Sequence, residues 1–561
     1  MNTYWAKPPV PRHQLVLLAP SLDDMIAPGD PIRQLDAIFD SLDWSEYERA
    51  YDGAHGQPPI HPRYVAAALF YGIMRGLRTG RRVEEATRKH IDFMWLLQGQ
   101  TLDHATVCKF RTRFKDALKG TFRQINQQGL ERLGEAMVEL VIDGTRLRAN
   151  SDRHGARTAA WMEARLAQLQ AHVEQALQDM AAEDLKDDPS SASSDQIRER
   201  LAELLREKEK YEAALEVARQ RDEVKREKDG KNATPVRVPI TDPSSLLLPN
   251  KEGGYAPNHT PVALVDTASG MIVAATVLPD GSEPAAVQPL LAEVQKELGT
   301  KPQRLLADSG FASGANHAAL EEQGIALYAP VSAPVPEAHP ARREDPSQPL
   351  SPDRIASLPR VGSNGTFDRN AFLFDPQKEG YWCPMGRPLP VRRVSRHPLD
   401  GTVLLTEYQS HDCTLCPLAG NCLSRKATKR TVTRDPYENA RENTARRMAG
   451  DEAKAIYRRR APTIEGTFGT IKGNMGIRAF LLRGLDKVRV EWLWICTAFN
   501  LKKLLKLLAA AAPAGGQGVA GHAGSVRRGN GAGEHVHGLL VLSLAIRRSA
   551  GFATVEACLA A

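Results

Sequence analysis

The sequence has little of what membrane and secreted proteins need. It contains no run of the roughly 18 to 20 apolar residues that span a bilayer, and its first residues lack the charged and then apolar pattern of a signal peptide. Cysteines number only 7, an odd count. We therefore expect no membrane partner and a reducing cytoplasm, where clustered thiols bind metal more often than they form disulfides.

Composition is otherwise that of a soluble globular protein, with 42% hydrophobic and 25% charged residues. A length of 561 residues predicts three or four domains. The net charge of +7 is unevenly spread, since Lys and Arg are more than twice as frequent as Asp and Glu between Arg425 and Lys506. This basic segment favours a polyanionic partner, most often nucleic acid, although a solvated basic face would look the same.

Residues 1–135 predict a helical N-terminal domain. Its last helix is expected to follow the N-cap Asp103, and it carries Lys109, Arg111 and Arg113 between apolar positions at helical spacing. Short helices, a tight turn and a basic final helix are typical of helix-turn-helix proteins that bind DNA. A plain helical bundle would give the same pattern.

The remaining chain predicts an interrupted α/β core. Two stretches with apolar residues at 3/4 spacing flank "DDPSSASSD" and predict an antiparallel helical hairpin, suited to dimerisation or DNA contact. The expected segments are a first core strand (136–154), the hairpin insertion (155–235), the continued core (236–335), a loop with a Cys-rich basic insertion (336–454), C-terminal core helices (455–508) and a disordered Gly/Ala-rich tail (509–561).

Two aspartates end predicted strands of this core. Asp143 closes "ELVID" and Asp308 closes "RLLAD", and each is followed by small residues and a turn. Catalytic groups gather at the carboxyl ends of strands in α/β sheets. Two carboxylates that share a site repel each other, and a divalent cation relieves the repulsion. The alternative is that each aspartate only stabilises its own turn.

Glu465 is the one acidic residue of "RRRAPTIEGTFGTIK". Pro462 is expected at the first position of a helix, which would place Glu465 in or next to the first turn, where the helix dipole favours a carboxylate. The local sequence is therefore compatible with an ordinary surface glutamate or with a catalytic one.

The order of predicted elements, three strands, a helix, a fourth strand and a late acidic helix, is the plan of the ribonuclease-H-like fold. Four motifs, "IDGTRLRAN", "LLADSGFASGAN", "YRRRAPTIEGTFGTIK" and "RGLDKVRVEWLWICTAFNLKKL", resemble those of DDE transposases of bacterial insertion sequences, in the branch with a Tyr-Arg-Glu-Lys signature. The N-terminal "PIRQLDAIF", "HPRYVAAALFYG" and "TVCKFRTRF" resemble the helical domain that precedes the core in this family. The resemblance covers most of residues 25–508.

The resemblance implies that Asp143, Asp308 and Glu465 hold two Mg²⁺ or Mn²⁺ ions for DNA cleavage and strand transfer. It further implies that Lys472 and Arg460 contact phosphates, with Tyr457 as the first signature residue. Six residues separate Glu465 from Lys472, as in the branch, but four separate Arg460 from Glu465 where the branch has three.

The implied partners are double-stranded DNA, both the terminal inverted repeats of the element and a target, with a homodimer on the paired ends. The implied location is the bacterial cytoplasm, in association with the nucleoid. A plain metal-dependent nuclease of the same fold and a DNA-binding remnant without catalysis are the alternatives. A structural coiled-coil protein is disfavoured, because the heptads are too few.

A second group of residues lies between Asp308 and Glu465. Cys413 and Cys416 form a Cys-x2-Cys pair, and Cys383 and Cys422 flank it, which together are typical of a tetrahedral structural zinc site. His411 is the rival ligand. The alternative is four free thiols.

Overall fold

The computed structural model describes most of the chain up to Ala511. The described residues are 21–51, 58–131, 137–185, 191–230, 233–249, 253–331, 338–361, 365–397, 401–411, 413–424 and 427–511. Nearly all of the predicted tail, from residue 512 onward, lies outside them. In these ranges no helix combines the length and the apolarity needed to cross a membrane.

The described N-terminal part consists of helices. They are α1 Pro31–Ser41, α2 Ser45–Glu48, α3 Pro62–Met74, α4 Gly80–Lys89, α5 Ile91–Leu96, α6 His104–Arg113 and α7 Lys115–Glu131. The predicted N-cap is confirmed, since the Asp103 carboxylate accepts hydrogen bonds from the backbone N–H of Ala105 and Thr106. Val107 and Phe110 of α6 are buried, as their spacing predicts.

A first strand and a pair of long helices follow. The elements are β1 Glu139–Gly144, β2 Leu147–Arg148, β3 Ala156–Arg157, α8 Ala159–Asp184, α9 Ser191–Asp229, β4 Val238–Pro239, β5 Leu246–Pro249 and β6 Tyr255–His259. The helices α8 and α9 pack together through apolar residues that include Met162 and Leu215. An ion pair of 3.0 Å between Arg165 and Glu207 also links them.

The central sheet is built from strands distant in sequence. Its further elements are β7 Pro261–Asp266, β8 Ile272–Val277, a 3₁₀ turn Glu283–Ala286, α10 Val287–Leu298, β9 Arg304–Leu306, α11 Gly314–Glu322 and β10 Ala326–Tyr328. The strand order is β10-β9-β1-β7-β8. β1 is parallel to β9 and antiparallel to β7, and β9 is parallel to β10. β7 is wholly buried, which explains why its sequence is continuously apolar rather than alternating.

The Cys-rich region forms short strands around its own apolar cluster. Its elements are α12 Pro352–Ala356, β11 Arg360–Val361, β12 Thr366–Phe367, β13 Leu373–Asp375, β14 Gly380–Trp382, β15 Pro388–Leu389, β16 Val391–Arg396, β17 Val403–Gln409, α13 Ala419–Cys422 and β18 Thr431–Arg434. Phe367, Phe372 and Tyr381 lie in this cluster. The loop expected within residues 336–454 therefore contains short elements from Pro352 onward.

Helices complete the described chain. They are α14 Glu438–Ala449, α15 Asp451–Arg458, α16 Arg460–Gly469, a π-helical turn Thr470–Asn474 and α17 Leu485–Ala511. The predicted helix start at Pro462 is wrong, because α16 begins at Arg460, with only Arg459 between it and the end of α15. Pro462 is its third residue, still within the turn whose N–H groups have no partner inside the helix. Glu465 consequently lies in the second turn.

Helix α17 lies between the sheet and the N-terminal helices. The Trp492 indole N–H donates to the carbonyl of Val262 in β7 over 3.2 Å. The Trp494 indole N–H donates to the carbonyl of Arg111 in α6 over 3.1 Å. One buried helix therefore joins both parts of the protein, and residues of both parts share one hydrophobic cluster.

Asn500 of α17 hydrogen-bonds to the backbone of β8 at the edge of the sheet, and a substitution at Asn500 tests this packing. Its side chain accepts from the backbone N–H of Ile272 and donates to the carbonyl of the same residue and to Asn126. Asn500→Leu would leave these buried groups unpaired, so we expect a loss of about 2–5 kcal/mol in urea unfolding. Asn370→Leu, on an exposed turn, serves as the control and should change stability little. Equal losses in both variants would contradict this role.

Candidate active site

Asp143 and Asp308 lie at the carboxyl ends of two neighbouring parallel strands. Asp143 is the next-to-last residue of β1, and Asp308 lies two residues after the end of β9. Each carboxylate also accepts backbone hydrogen bonds in its own turn, from Gly144 over 2.7 Å and from Gly310 over 2.9 Å. The turn role that the sequence allowed is therefore present, and the parallel pairing of β1 with β9 brings the two aspartates together as well.

Arg460 contacts both aspartates. Its Nη2 lies 2.8 Å from Asp143 Oδ2 and 3.5 Å from Asp308 Oδ2. The side chains of Arg460 and Asp143 are 16% and 19% exposed, so this contact is largely shielded from water. Arg460 Nε is buried without a hydrogen-bond partner. A cation of the protein itself thus occupies the position between two carboxylates where a divalent ion would be stabilised.

The electrostatics of Asp143 connect it to Glu465. Burial raises the pKa of Asp143, Arg460 and the Gly144 N–H lower it, and the negative charges of Asp308 and Glu465 raise it further. Glu465 itself is exposed on α16. The structure therefore brings the three predicted acids into one electrostatic environment, with one of them open to solvent.

Glu283 is a fourth acidic residue at this place, and the sequence did not single it out. Burial raises its pKa, and the charges of Asp308 and then Asp143 add to the shift. Its carboxylate lies so close to Gly310 that a Cβ on that glycine would collide with it. The available signal was "EPAAVQ", an acid at the start of the helix after the third core strand, which predicted only a helix start.

The position of α16 depends on buried contacts on both sides of Arg460. Arg459 Nε donates to Glu139 of β1 over 2.9 Å, and Ile464 and Phe468 are buried. Tyr457 is half-buried near the carboxylates of Asp143 and Asp308. Burial raises its pKa, Arg460 opposes the shift, and the charges of Asp308 and Asp143 increase it.

Basic side chains border the acidic site. Lys472 Nζ donates to the carbonyl of Arg146 over 3.0 Å, and the backbone N–H of Arg148 donates to the carbonyl of Arg478 over 3.1 Å. Arg146, Arg148 and Arg478 are exposed, while Lys472 is partly exposed. We call these four residues the basic border. Of them, sequence reasoning named only Lys472, although Arg146 and Arg148 stand in the same motif as Asp143.

The predicted DNA-contacting residues of α6 differ in exposure. Arg111 is only 6% exposed and donates to the carbonyl of Arg78, so it is not available to a phosphate as the sequence predicted. Helix α17 packs against α6 at this residue, where Trp494 donates to the carbonyl of Arg111. Lys109 and Arg113 are exposed, and Arg113 lies over the ring of Tyr51 at 4.9 Å.

The four predicted zinc ligands line one cavity. Cys383, Cys413, Cys416 and Cys422 contribute to its wall, as does His411, and the four thiols are free. Burial raises the pKa of Cys422 to about 12, with Arg430 opposing the shift. Within the described ranges, no group of three or more His, Cys, Asp or Glu side chains is arranged so that it could hold a metal ion.

The contact of Arg460 with both aspartates predicts competition with divalent cations. Arg460→Met leaves Asp143 and Asp308 to repel each other, so a divalent ion gains more by binding between them. We expect Mn²⁺ to raise the Tm of this variant by more than that of the wild type, by roughly a few degrees. Thermal unfolding with and without Mn²⁺ measures the difference.

Arg458→Met is the matched control, since Arg458 is exposed at the end of α15 next to the same segment. It should show the wild-type response to Mn²⁺. Combining Arg460→Met with Asp143→Asn should abolish the gain. An unchanged Mn²⁺ shift in Arg460→Met would contradict the competition.

Two family comparisons bear on this site. Residues 382–505 match the family described as "Transposase DDE domain", and residues 20–113 match the family described as "Transposase domain (DUF772)". The search of curated proteins and that of solved structures each found no match. The first match includes Glu465, Arg460 and Lys472, whereas Asp143 and Asp308 lie outside both. Transposases act on DNA, and DDE domains generally use divalent metal ions. These two segments, which together make up less than half of the chain, are therefore similar to transposase families.

Proposed function

We propose that this protein is a transposase that binds the terminal inverted repeats of its own insertion sequence and then cuts and joins DNA in a metal-dependent reaction. The observation that carries the proposal is the convergence of Asp143 and Asp308 at one edge of the sheet, where Arg460 contacts both. Two like charges this close repel each other, and a cluster of coupled acidic residues of this kind marks a candidate functional site.

The topology of the sheet supports a ribonuclease-H-like core. The strand order β10-β9-β1-β7-β8, with β7 antiparallel to its neighbours, places the first strand in the middle. Asp143 is on this central strand and Asp308 follows the adjacent one. The late acidic helix α16 packs near β1 through Arg459 and Glu139. A core that begins at its central strand brings residues from three distant segments to one edge.

In this proposal Asp143, Asp308 and Glu465 hold the divalent ions through oxygen ligands, which Mg²⁺ prefers. Bound ions would activate the attacking oxygen and stabilise the leaving oxygen. Glu283 lies beside both aspartates and orients them or supplies a further oxygen. Arg460 has to leave its bridging position, and it then becomes available to a DNA phosphate, as the family resemblance implies.

The basic border supplies the second component of the proposal. Phosphate contacts position DNA without reading its sequence. Arg146 and Lys472 meet next to the strand of Asp143, where Lys472 Nζ donates to the Arg146 carbonyl. A duplex held there presents its backbone to the carboxylates. We further propose, from the family resemblance alone, a homodimer on paired DNA ends in the nucleoid of a bacterial cytoplasm.

The decisive assay uses DNA that carries the inverted repeats flanking this gene, with Mg²⁺ or Mn²⁺. We expect the wild type to cut at the repeat ends and join them to a target. Asp143→Asn, Asp308→Asn and Glu465→Gln should bind the ends but lose cleavage by roughly 10²-fold or more, the scale for loss of a charge-stabilising group. Glu283→Gln should slow cleavage by about 10- to 100-fold, as for residues that support metal ligands.

The alternatives give different results in the same assay. A wild type that binds the ends and never cuts would be a DNA-binding remnant. Cleavage of unrelated DNA without joining would indicate a plain nuclease. Full activity in Glu465→Gln would show that Glu465 is an ordinary surface residue without a role in cleavage.

The basic border predicts a change in the salt dependence of DNA binding. Arg146→Ala and Lys472→Ala should each weaken binding to specific and unrelated duplexes alike, because phosphates carry no sequence information. Each substitution should reduce the slope of log K against log salt by about one. Lys296→Ala, which removes an 81% exposed lysine from α10, is the control. The same loss in the control would assign the effect to net charge rather than to this surface.

A further inference from the structure

The Cys-rich region has a chemistry that the proposed transposase reaction does not use. Cys383 follows β14, Cys413 and Cys416 lie between β17 and β18, and Cys422 ends α13. These segments are distant along the chain, yet all four side chains line one cavity of about 30 Å³. A cavity of this size has room for one or two water-sized spheres and none for an organic ligand, and the four thiols in its wall are the ligand set of a metal ion.

The turns that carry the sulphurs are tight and hydrogen-bonded. After Cys383, the backbone N–H of Arg387 donates to Cys383 Sγ over 3.3 Å and that of Gly386 donates to the Cys383 carbonyl over 2.9 Å. At the Cys-x2-Cys turn, the N–H of Cys416 donates to the carbonyl of Cys413 over 3.1 Å. These hydrogen bonds fix the backbone of both turns, and the N–H of Arg387 also holds Cys383 Sγ in the wall of the cavity.

Arg430 adds a positive charge to the wall of the cavity. Its Nη1 donates to the carbonyl of Cys422 over 3.0 Å, and its Nη2 donates to that of Phe367 over 3.0 Å. Its Nε is buried without a hydrogen-bond partner. A divalent ion with four thiolates carries a net negative charge, which a fixed arginine at the wall offsets.

We propose that Cys383, Cys413, Cys416 and Cys422 bind one Zn²⁺ as four thiolates, with Arg430 as the neighbouring countercharge. Four thiol protons pass to solvent as the ion binds. Tetrahedral zinc with Zn–S bonds of about 2.3 Å requires the sulphurs to close to roughly 3.8 Å from one another. Binding would therefore draw the β14 turn and the β17–β18 connection together.

Zinc at this position stabilises the small apolar cluster of Phe367, Phe372 and Tyr381. A domain of short strands buries too little surface to be stable alone, and metal binding is a common remedy. β18 leads directly into α14, whose Arg447 donates to the carbonyl of Leu327 in β10. The site therefore anchors the segment that leads to α16, without taking part in the chemistry there.

Metal analysis of the full chain, purified without chelators, tests the proposal. We expect about one zinc per chain. Replacement by Co²⁺ should give the thiolate-to-cobalt charge-transfer band and intense d–d bands of a tetrahedral site. Cys383→Ser, Cys413→Ser, Cys416→Ser and Cys422→Ser should each lose the metal or weaken the charge-transfer band by one thiolate. Arg430→Met should lower zinc affinity while the band retains four thiolates.

The chain offers matched controls. Cys108→Ser changes an exposed thiol and Cys496→Ser a buried one in α17, both outside this cavity, and both should keep zinc and the cobalt spectrum. His411→Asn should also keep the four-thiolate spectrum, because His411 lies in the wall without being a ligand.

Three results would overturn the proposal. They are a wild type that purifies without zinc and gives no cobalt bands after reduction, a full zinc content together with an unchanged four-thiolate cobalt band in any of the four cysteine variants, or loss of the metal in His411→Asn. Circular dichroism of each variant separates a lost ligand from a lost fold. Zinc content and cobalt spectra do not depend on DNA cleavage, so they can fail or succeed independently of the transposase assay.

Discussion

The burial of α17 is the constraint on which the rest of the structure depends. This helix covers the edge of β8 on one side and the N-terminal helices on the other, and its tryptophans donate to backbone carbonyls of β7 and α6. Glu491, 4% exposed, accepts from the backbone of Leu481 and Leu482 and pairs with Arg78 of the helical part. Loss of this packing would expose the sheet edge and detach the helical part from the core.

With the sheet held in this way, charge determines the arrangement at its carboxyl edge. Residues four apart share a helix face, whereas one more residue turns the chain by about 100°. Arg460 and Glu465 are five residues apart, so their side chains leave α16 in different directions: Arg460 pairs with Asp143, and Glu465 is exposed. An internal cation therefore lies where the proposed reaction needs an external one.

The Cys-rich region follows a different principle of stability. The central core is large enough to be stabilised by apolar burial, with fully buried side chains such as Trp492 and Phe499. The Cys-rich strands are two to seven residues long and surround a separate, smaller cluster. The proposed zinc site supplies the stability that the small apolar cluster cannot. Arg430 would hydrogen-bond to backbone carbonyls and also offset the charge of the zinc site.

Local sequence determined the elements and the candidate acids. Apolar runs located β1, β7 and β8, helical spacing located α6 and α10, and the turns after two strands marked Asp143 and Asp308, because these features depend on neighbours along the chain. Only the tertiary structure decided which distant residues meet. The pairing of β9 with β1 brings Asp308 to Asp143, and Glu283 meets both from the turn after β8. Arg111 is buried where α6 meets α17, and Arg460 of the distant helix α16 contacts Asp143. Such outcomes depend on packing between elements far apart in sequence, for which local spacing carries no information.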